Sequence, residues 1–140
     1  MATAPLGFNS KSGKQYKVML VDDSSIIRIA EKKILLSEDF NVVMEADSAM
    51  AALKYLREIP EKPDIIMLDF EMPQMNGLDL LKRIRALNYE GKIVVVTSHT
   101  NKETFLEFVN LKVDTYIAKP IQRQIIIAHL ARILGRFDYL

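Results

Sequence analysis

The sequence contains no cysteine and no tryptophan, and it has only five glycines and five prolines among its 140 residues. Without cysteine the chain has no disulfide, no thiolate nucleophile and no cysteine-ligated zinc site, so we expect a reducing compartment, the cytoplasm. The low glycine and proline content, together with 49% hydrophobic residues, excludes fibrous and disordered classes. This composition is typical of one globular domain.

Neither sign of charge dominates, and no hydrophobic run is long. The 19 Lys and Arg residues nearly balance the 18 Asp and Glu residues, for a net charge of +1. A nucleic-acid-binding surface needs an excess of cationic side chains for phosphate contacts. A membrane-spanning helix needs about 20 consecutive apolar residues, whereas the runs in this chain are only a few residues long. We therefore expect no direct contact with nucleic acid and no membrane span.

Short apolar runs alternate with segments of helical length from Tyr16 onward. The runs predict strands at residues 18–21, 42–44, 64–69, 92–97 and 114–118. The segments between and after them predict helices at residues 24–36, 48–59, 78–87, 102–110 and 121–134, with Ser48 and Asn101 as N-terminal caps. Residues 1–15 show no periodicity and are predicted to form a flexible N-terminal tail, which leaves residues 16–140 as the domain.

The strand pattern favours a parallel sheet. The run at 92–97 (KIVVVT) does not alternate with polar residues, which is typical of strands covered on both faces. Repeated βα units with right-handed crossovers form an open, doubly wound α/β sheet. The polar-interrupted runs at 42–44 and 114–118 resemble edge strands. We therefore predict a flavodoxin-like (βα)5 three-layer sandwich with strand order 2-1-3-4-5.

Polar side chains follow the predicted strands at the end where open α/β sheets hold their sites. Alone, Asp22 or Asp23 could be a helix cap, Asp69 a turn residue, and Thr97 or Lys119 an ordinary strand or surface residue. Together they predict an acidic pocket beside one cation. Crowded carboxylate oxygens are the ligands that suit Mg²⁺. The residues at these strand ends are Asp22, Asp23, Asp69, Glu71, Thr97 and Lys119.

Four segments carry a resemblance to a known family: VMLVDDSSIIR (18–28), PDIIMLDFEMPQMNG (63–77), VVVTSH (94–99) and YIAKP (116–120). With these segments the chain resembles the receiver domains of two-component response regulators, in particular the CheY-like single-domain type. The resemblance covers residues 16–134. It implies a signalling protein that accepts a phosphoryl group from a histidine kinase or a histidine phosphotransfer protein, and that assists its own phosphorylation and dephosphorylation without being an enzyme.

The resemblance also implies a role for each residue of the pocket. Asp69 would be the phosphoacceptor, and Asp22, Asp23 and Asp69, with the backbone carbonyl of Glu71, would hold Mg²⁺. Thr97 and Lys119 would contact phosphoryl oxygens.

Further residues would act around this pocket. The bond before Pro120 would be cis. Thr97 and Tyr116 would form a switch that changes the face made by the fourth helix, the fifth strand and the fifth helix. Glu71 and His99 would tune dephosphorylation by obstructing or orienting water.

Alternatives to a stand-alone regulator, such as one in chemotaxis, stay open at this point. The chain could be a phosphorelay carrier, a receiver domain excised from a longer regulator, or a phosphorylation-independent interaction module, and it could be a monomer or a phosphorylation-dependent dimer. A haloacid-dehalogenase-like phosphatase is disfavoured because its nucleophile follows the first strand. A P-loop is disfavoured because residues 7–15 lack the required glycine spacing.

Overall fold

The fold is an open parallel sheet between two layers of helices, described here from a computed structural model for residues 4–98 and 101–140. All five strands pair in parallel, in the order β2-β1-β3-β4-β5, which confirms the predicted topology. The strands are β1 (Lys17–Val21), β2 (Asn41–Ala46), β3 (Ile65–Asp69), β4 (Lys92–Thr97) and β5 (Thr115–Ala118), and the helices are α1 (Ser25–Ser37), α2 (Ala49–Glu58), α3 (Gly77–Ala86), α4 (Lys102–Asn110) and α5 (Arg123–Ile133).

The core consists of two clusters, one on each face of the sheet, because successive strand residues point to opposite faces. Val95 of β4 packs with buried side chains of α2, α3 and α4, and its neighbour Val94 packs with those of α1 and α5. Strands β3 and β4 are buried almost throughout, as their continuous apolar runs predict.

Four helices begin at the polar cap that their sequence offers. The side chains of Ser24, Ser48, Asn76 and Asn101 each accept a hydrogen bond from the backbone N–H three residues later. Such caps satisfy one of the free N–H groups of a first turn. They fix where each helix leaves the carboxyl end of the preceding strand, and so they fix the loops that carry the polar residues.

Residues 4–7 pack on the domain, contrary to the flexible tail predicted over residues 1–15, whereas residues 10–15 are exposed. Leu6 is fully buried in the cluster of α1 and α5, and its backbone N–H donates to Oε1 of Glu38 at 3.2 Å. The guanidinium of Arg136 donates to the carbonyls of Ala4 and Pro5. A single buried leucine produces no periodic pattern of apolar residues, so the sequence did not predict this packing.

Candidate functional site

Three aspartates meet at the carboxyl ends of β1 and β3. Asp22 and Asp23 follow β1, and Asp69 is the last residue of β3. One carboxylate oxygen of each lies within 4.8 Å of the other two. Asp22 and Asp69 are buried, whereas Asp23 is exposed. Oxygen donors at this spacing, two of them shielded and one open to solvent, fit Mg²⁺, which binds few carboxylates and keeps several waters.

Backbone hydrogen bonds hold two of these carboxylates in place. The N–H of Ser24 donates to Oδ1 of Asp22 at 2.8 Å, and the N–H of Glu71 donates to Oδ1 of Asp69 at 3.1 Å. The guanidinium of Arg28 donates to the backbone carbonyl of Asp22. The loop after each strand therefore orients its acid by local contacts of the kind that Asp side chains favour.

Burial makes this cluster electrostatically costly without a cation. It raises the pKa of the Asp69 carboxyl to about 6, the charge of Asp22 adds to the rise, and a hydrogen bond from Lys119 opposes it. Burial also raises the pKa of Asp22. Glu31 of α1 is buried as well, and desolvation, with the charges of Asp22 and Asp69, raises its pKa to about 8. A bound divalent cation would offset this crowding.

Glu71 makes side-chain contacts that its sequence position did not predict. Its Oε1 accepts hydrogen bonds from the Thr97 hydroxyl at 2.8 Å and from the Ser98 N–H at 2.7 Å. Its Oε2 lies 3.1 Å from Nζ of Lys119. Although burial alone would raise the pKa of Glu71, these contacts outweigh it and lower the pKa to about 2. The side chain is therefore a carboxylate that accepts two hydrogen bonds and pairs with the Lys119 ammonium.

Thr97 and Lys119 stand beside the acids, as expected for the ends of β4 and β5. Thr97 is fully buried, and Nζ of Lys119 lies 2.8 Å from Oδ1 of Asp69. The Lys119 N–H donates to the carbonyl of Thr97 at 2.9 Å, which ties the two loops together. The peptide bond between Lys119 and Pro120 is cis. The site thus combines an acidic cluster with one hydroxyl and one ammonium.

Tyr116 of β5 lines an apolar groove and packs on α4. Its ring contacts those of Phe105 and Phe108 of α4, with centroids 5.4 and 5.8 Å away. The groove measures about 550 Å³, and its lining includes Tyr116, Phe105, Val109 and Ile125. Of the three consecutive isoleucines in α5, Ile126 and Ile127 are buried and Ile125 is exposed.

The structure gathers the predicted residues Asp22, Asp23, Asp69, Glu71, Thr97 and Lys119 into one pocket. His99 lies outside the described residues. Sequence reasoning missed Glu31, although α1 carried a signal for it. Glu31 lies one helical turn from Ile27 and another from Leu35, so it shares the inward stripe of that helix.

The sequence profile of the response regulator receiver domain matches residues 18–131, so the chain belongs to that family. It is 33% identical over 106 residues to the chemotaxis protein CheY of Listeria monocytogenes, covering 76% of this chain and 87% of that protein. It is 34% identical over 126 residues to the chemotaxis protein CheY-3 of Vibrio cholerae, covering 88% of this chain and 95% of that protein.

A solved structure agrees on the fold. A chain in the crystal structure of the CheX–CheY–BeF3–Mg²⁺ complex from Borrelia burgdorferi superposes with a TM-score of 0.88 at 24% identity, covering 94% of this chain and 98% of that chain. The protein is therefore a CheY-like receiver domain, and the two relatives named above are chemotaxis proteins. No helix within residues 4–98 and 101–140 is long and apolar enough to cross a membrane.

Proposed function

We propose that this protein is a phosphoacceptor response regulator and that Asp69 receives the phosphoryl group. A carboxylate oxygen of Asp69 attacks the phosphorus of a phosphohistidine, the N–P bond breaks, and the imidazole leaves with the electron pair of that bond. The product is an acyl phosphate on Asp69. One observation carries the proposal: Asp69 is a buried carboxylate that lies between two other aspartates and the ammonium of Lys119.

The surrounding side chains fit the demands of phosphoryl transfer, which relies on positioning and charge stabilisation. Asp22, Asp23 and Asp69, with the backbone carbonyl of Glu71, would hold Mg²⁺, which supplies positive charge for the phosphoryl oxygens. Lys119 would bind one of those oxygens as a point charge, and the Thr97 hydroxyl would donate to another. Glu71 and His99 would govern how water reaches the acyl phosphate.

The output would pass through Thr97 and Tyr116 to the face of α4, β5 and α5. Movement of Thr97 toward the phosphoryl group would change the space open to Tyr116, which already contacts two rings of α4. Phosphorylation would then shift the population between two packings of this face. The apolar groove on the face suits a downstream protein partner.

A pathway of the chemotaxis type is favoured by the named relatives. The phosphoryl donor would be a histidine kinase or a histidine phosphotransfer protein, and the protein would act in the cytoplasm without direct contact with nucleic acid or membrane. A role as phosphorelay carrier makes a different prediction. A carrier returns its phosphoryl group to a second histidine phosphotransfer protein, whereas a chemotaxis output binds a flagellar switch protein only when phosphorylated.

Intact-mass spectrometry after incubation with acetyl phosphate tests the chemistry. We expect the mass of one added phosphoryl group in the presence of Mg²⁺, and none without Mg²⁺ or in Asp69→Asn. An exposed aspartate at the same edge of the sheet provides the matched control, since Asp47→Asn should gain the group as wild type does. No adduct in wild type, with Mg²⁺ and a kinase both present, would favour a phosphorylation-independent interaction module.

Sedimentation of the phosphorylated and unphosphorylated forms would report the oligomeric state. A monomer in both forms would assign the output to a different protein, and a dimer only after phosphorylation would assign it to a second copy of the chain.

A further inference from the structure

The Thr97 hydroxyl and the Lys119 ammonium, proposed above to bind phosphoryl oxygens, already contact the carboxylate of Glu71. The Thr97 hydroxyl and the Ser98 N–H both donate to Oε1 of Glu71, at 2.8 and 2.7 Å. Nζ of Lys119 lies 3.1 Å from Oε2 of Glu71 and 2.8 Å from Oδ1 of Asp69. The Glu71 carboxylate therefore lies within reach of the same hydroxyl and ammonium that the proposed function assigns to phosphoryl oxygens.

Two of these donors can serve only one strong acceptor at a time. A threonine hydroxyl and a backbone N–H each carry one hydrogen, whereas a lysine ammonium carries three. An arriving phosphoryl oxygen would have to replace Glu71 at Thr97, and a Glu71 side chain that leaves the pocket also gives up its bond to the Ser98 N–H. Hydrogen bonds that involve a charged group are stronger than those between neutral groups, so the loss of these bonds opposes loading of the site.

We propose that the Glu71 side chain occupies the place of the phosphoryl group in the unphosphorylated protein. This side chain must leave the pocket before Asp69 can be phosphorylated. The proposal rests on the proposed function of the site. This role of Glu71 differs from the control of water access, because Glu71 would act before the acyl phosphate on Asp69 has formed. Glu71 is partly exposed, with 29% of its side-chain surface open to solvent.

The same contact has a consequence for the switch. Glu71 holds the Thr97 hydroxyl by a hydrogen bond in the unphosphorylated protein. Phosphorylation then exchanges one anion for another at Thr97, so the movement of Thr97 starts from a position that Glu71 holds. The Glu71 carboxylate thus sets both the resistance to loading and the resting position of Thr97.

The test has two readouts, and the first needs no phosphoryl donor. The amide proton of Ser98, observed by ¹⁵N-edited NMR without Mg²⁺, should lie downfield in wild type, because it donates to a carboxylate. It should move upfield in Glu71→Ala and stay in place in Asp47→Asn. An unchanged Ser98 resonance in Glu71→Ala would overturn the proposal whatever the phosphorylation assays show.

The second readout is the dissociation constant for beryllium fluoride in the presence of Mg²⁺, measured by titration calorimetry. Beryllium fluoride is the probe because it mimics a phosphoryl group on a carboxylate. We expect Glu71→Ala to bind it about 10- to 100-fold more tightly than wild type, because the probe no longer has to displace the Glu71 carboxylate. Asp47→Asn removes one negative charge at the same edge of the sheet and should change the affinity little.

Glu71→Asp separates geometry from charge. It keeps the carboxylate but shortens the side chain by one methylene, so it should lose contact with part of the donor set and bind the probe with intermediate affinity. Two results together would overturn the proposal, because they would attribute the effect to net charge alone. In the first, Glu71→Asp and wild type bind the probe with equal affinity. In the second, Glu71→Ala and Asp47→Asn increase the affinity for the probe equally. Failure of every variant and of wild type to bind the probe would instead refute the phosphoacceptor function itself.

Discussion

The ring of Phe70 meets the ring of Phe108 edge to face, with the ring centroids 5.1 Å apart. Phe70 directly follows Asp69 in the chain, and Phe108 belongs to α4 and also contacts Tyr116. A continuous line of rings therefore joins the residue next to the phosphoacceptor candidate to the face proposed for output. Packed chains of this kind can carry coupling where the packing has two discrete arrangements.

Replacement of Phe108 tests this line of rings. Phe108 is buried, so Phe108→Ala should lower the free energy of unfolding by about 3–5 kcal/mol, through lost transfer energy and the cavity left behind. Urea denaturation measures the change. Phe137→Ala is the matched control, because the ring of Phe137 is mostly exposed and its removal should cost little.

The conservative variant Phe108→Leu probes coupling without gross loss of stability. We expect it to reduce the shift of the Tyr116 ring resonances that beryllium fluoride and Mg²⁺ induce, while the probe still binds. A full Tyr116 response in this variant would mean that the rings only pack and carry no signal.

Neutralising Asp69 should stabilise the metal-free protein at alkaline pH. Because the folded pKa of about 6 lies above the ordinary aspartate value, the neutral form favours folding, and this contribution is lost as the pH rises through 6. At pH 8 without Mg²⁺, Asp69→Asn should exceed wild type in stability by on the order of 1–3 kcal/mol. The difference should vanish near pH 4, and thermal melts at the two pH values would show it.

Magnesium provides the control for that prediction. Stabilisation by a ligand follows RT ln(1 + [L]/Kd), so Mg²⁺ should raise the melting temperature of wild type more than that of Asp69→Asn. Equal responses to Mg²⁺ would argue that Asp69 contributes nothing to the metal site.

Glu31 should make stability fall with rising pH in a second window. Its folded pKa of about 8 exceeds the ordinary glutamate value, so the protonated form stabilises the fold below about pH 4 to 5, and this contribution is lost as the pH rises toward 8. Glu31→Gln mimics the neutral carboxyl and should be more stable than wild type at pH 8.5 by on the order of a few kcal/mol.

A double variant with Asp69→Asn sharpens the Glu31 prediction. The charge of Asp69 contributes to the raised pKa of Glu31, so the gain from Glu31→Gln should be smaller in the Asp69→Asn background. Strict additivity of the two gains would mean that the carboxyls do not interact.

Because the N-terminal segment packs on the domain, truncation of its buried side chain should lower the stability of the fold, which would not happen in a flexible tail. Leu6 is fully buried, so Leu6→Ala should reduce the free energy of unfolding by about 2–5 kcal/mol. Phe8 of the same segment is exposed, and Phe8→Ala should cost far less. Similar, small losses in both variants would restore the flexible-tail interpretation.

Much of the fold could be read from the sequence because its signals are local. Apolar runs locate all five strands to within a few residues, and the caps Ser48 and Asn101 lie where helix N-termini require them. The polar residues that follow the strands meet in one pocket because parallel strands present their carboxyl ends at one edge of a sheet.

The unpredicted features depend on distant contacts. The burial of Leu6 depends on α1 and α5, and the Glu71 side chain finds its partners at the ends of β4 and β5. A single residue carries no periodic signal for such contacts, so the sequence indicated a backbone role in the metal site and control of water access for Glu71, but not its side-chain partners. Glu31 was predictable in part. Its spacing from Ile27 and Leu35 indicated the buried side of α1, whereas its charge indicated an exposed position.

The packing of residues 4–8 beside Glu38 and Arg136 determines how the molecule can be handled. Tyr16 accepts a hydrogen bond from Asn41, the first residue of β2, so this segment lies at the amino ends of the strands. The acidic pocket lies at their carboxyl ends, and a five-residue strand spans about 16 Å. A surface tether or a fluorophore attached ahead of Ala4 would therefore leave the pocket facing bulk solvent, which suits the protein to immobilised binding assays.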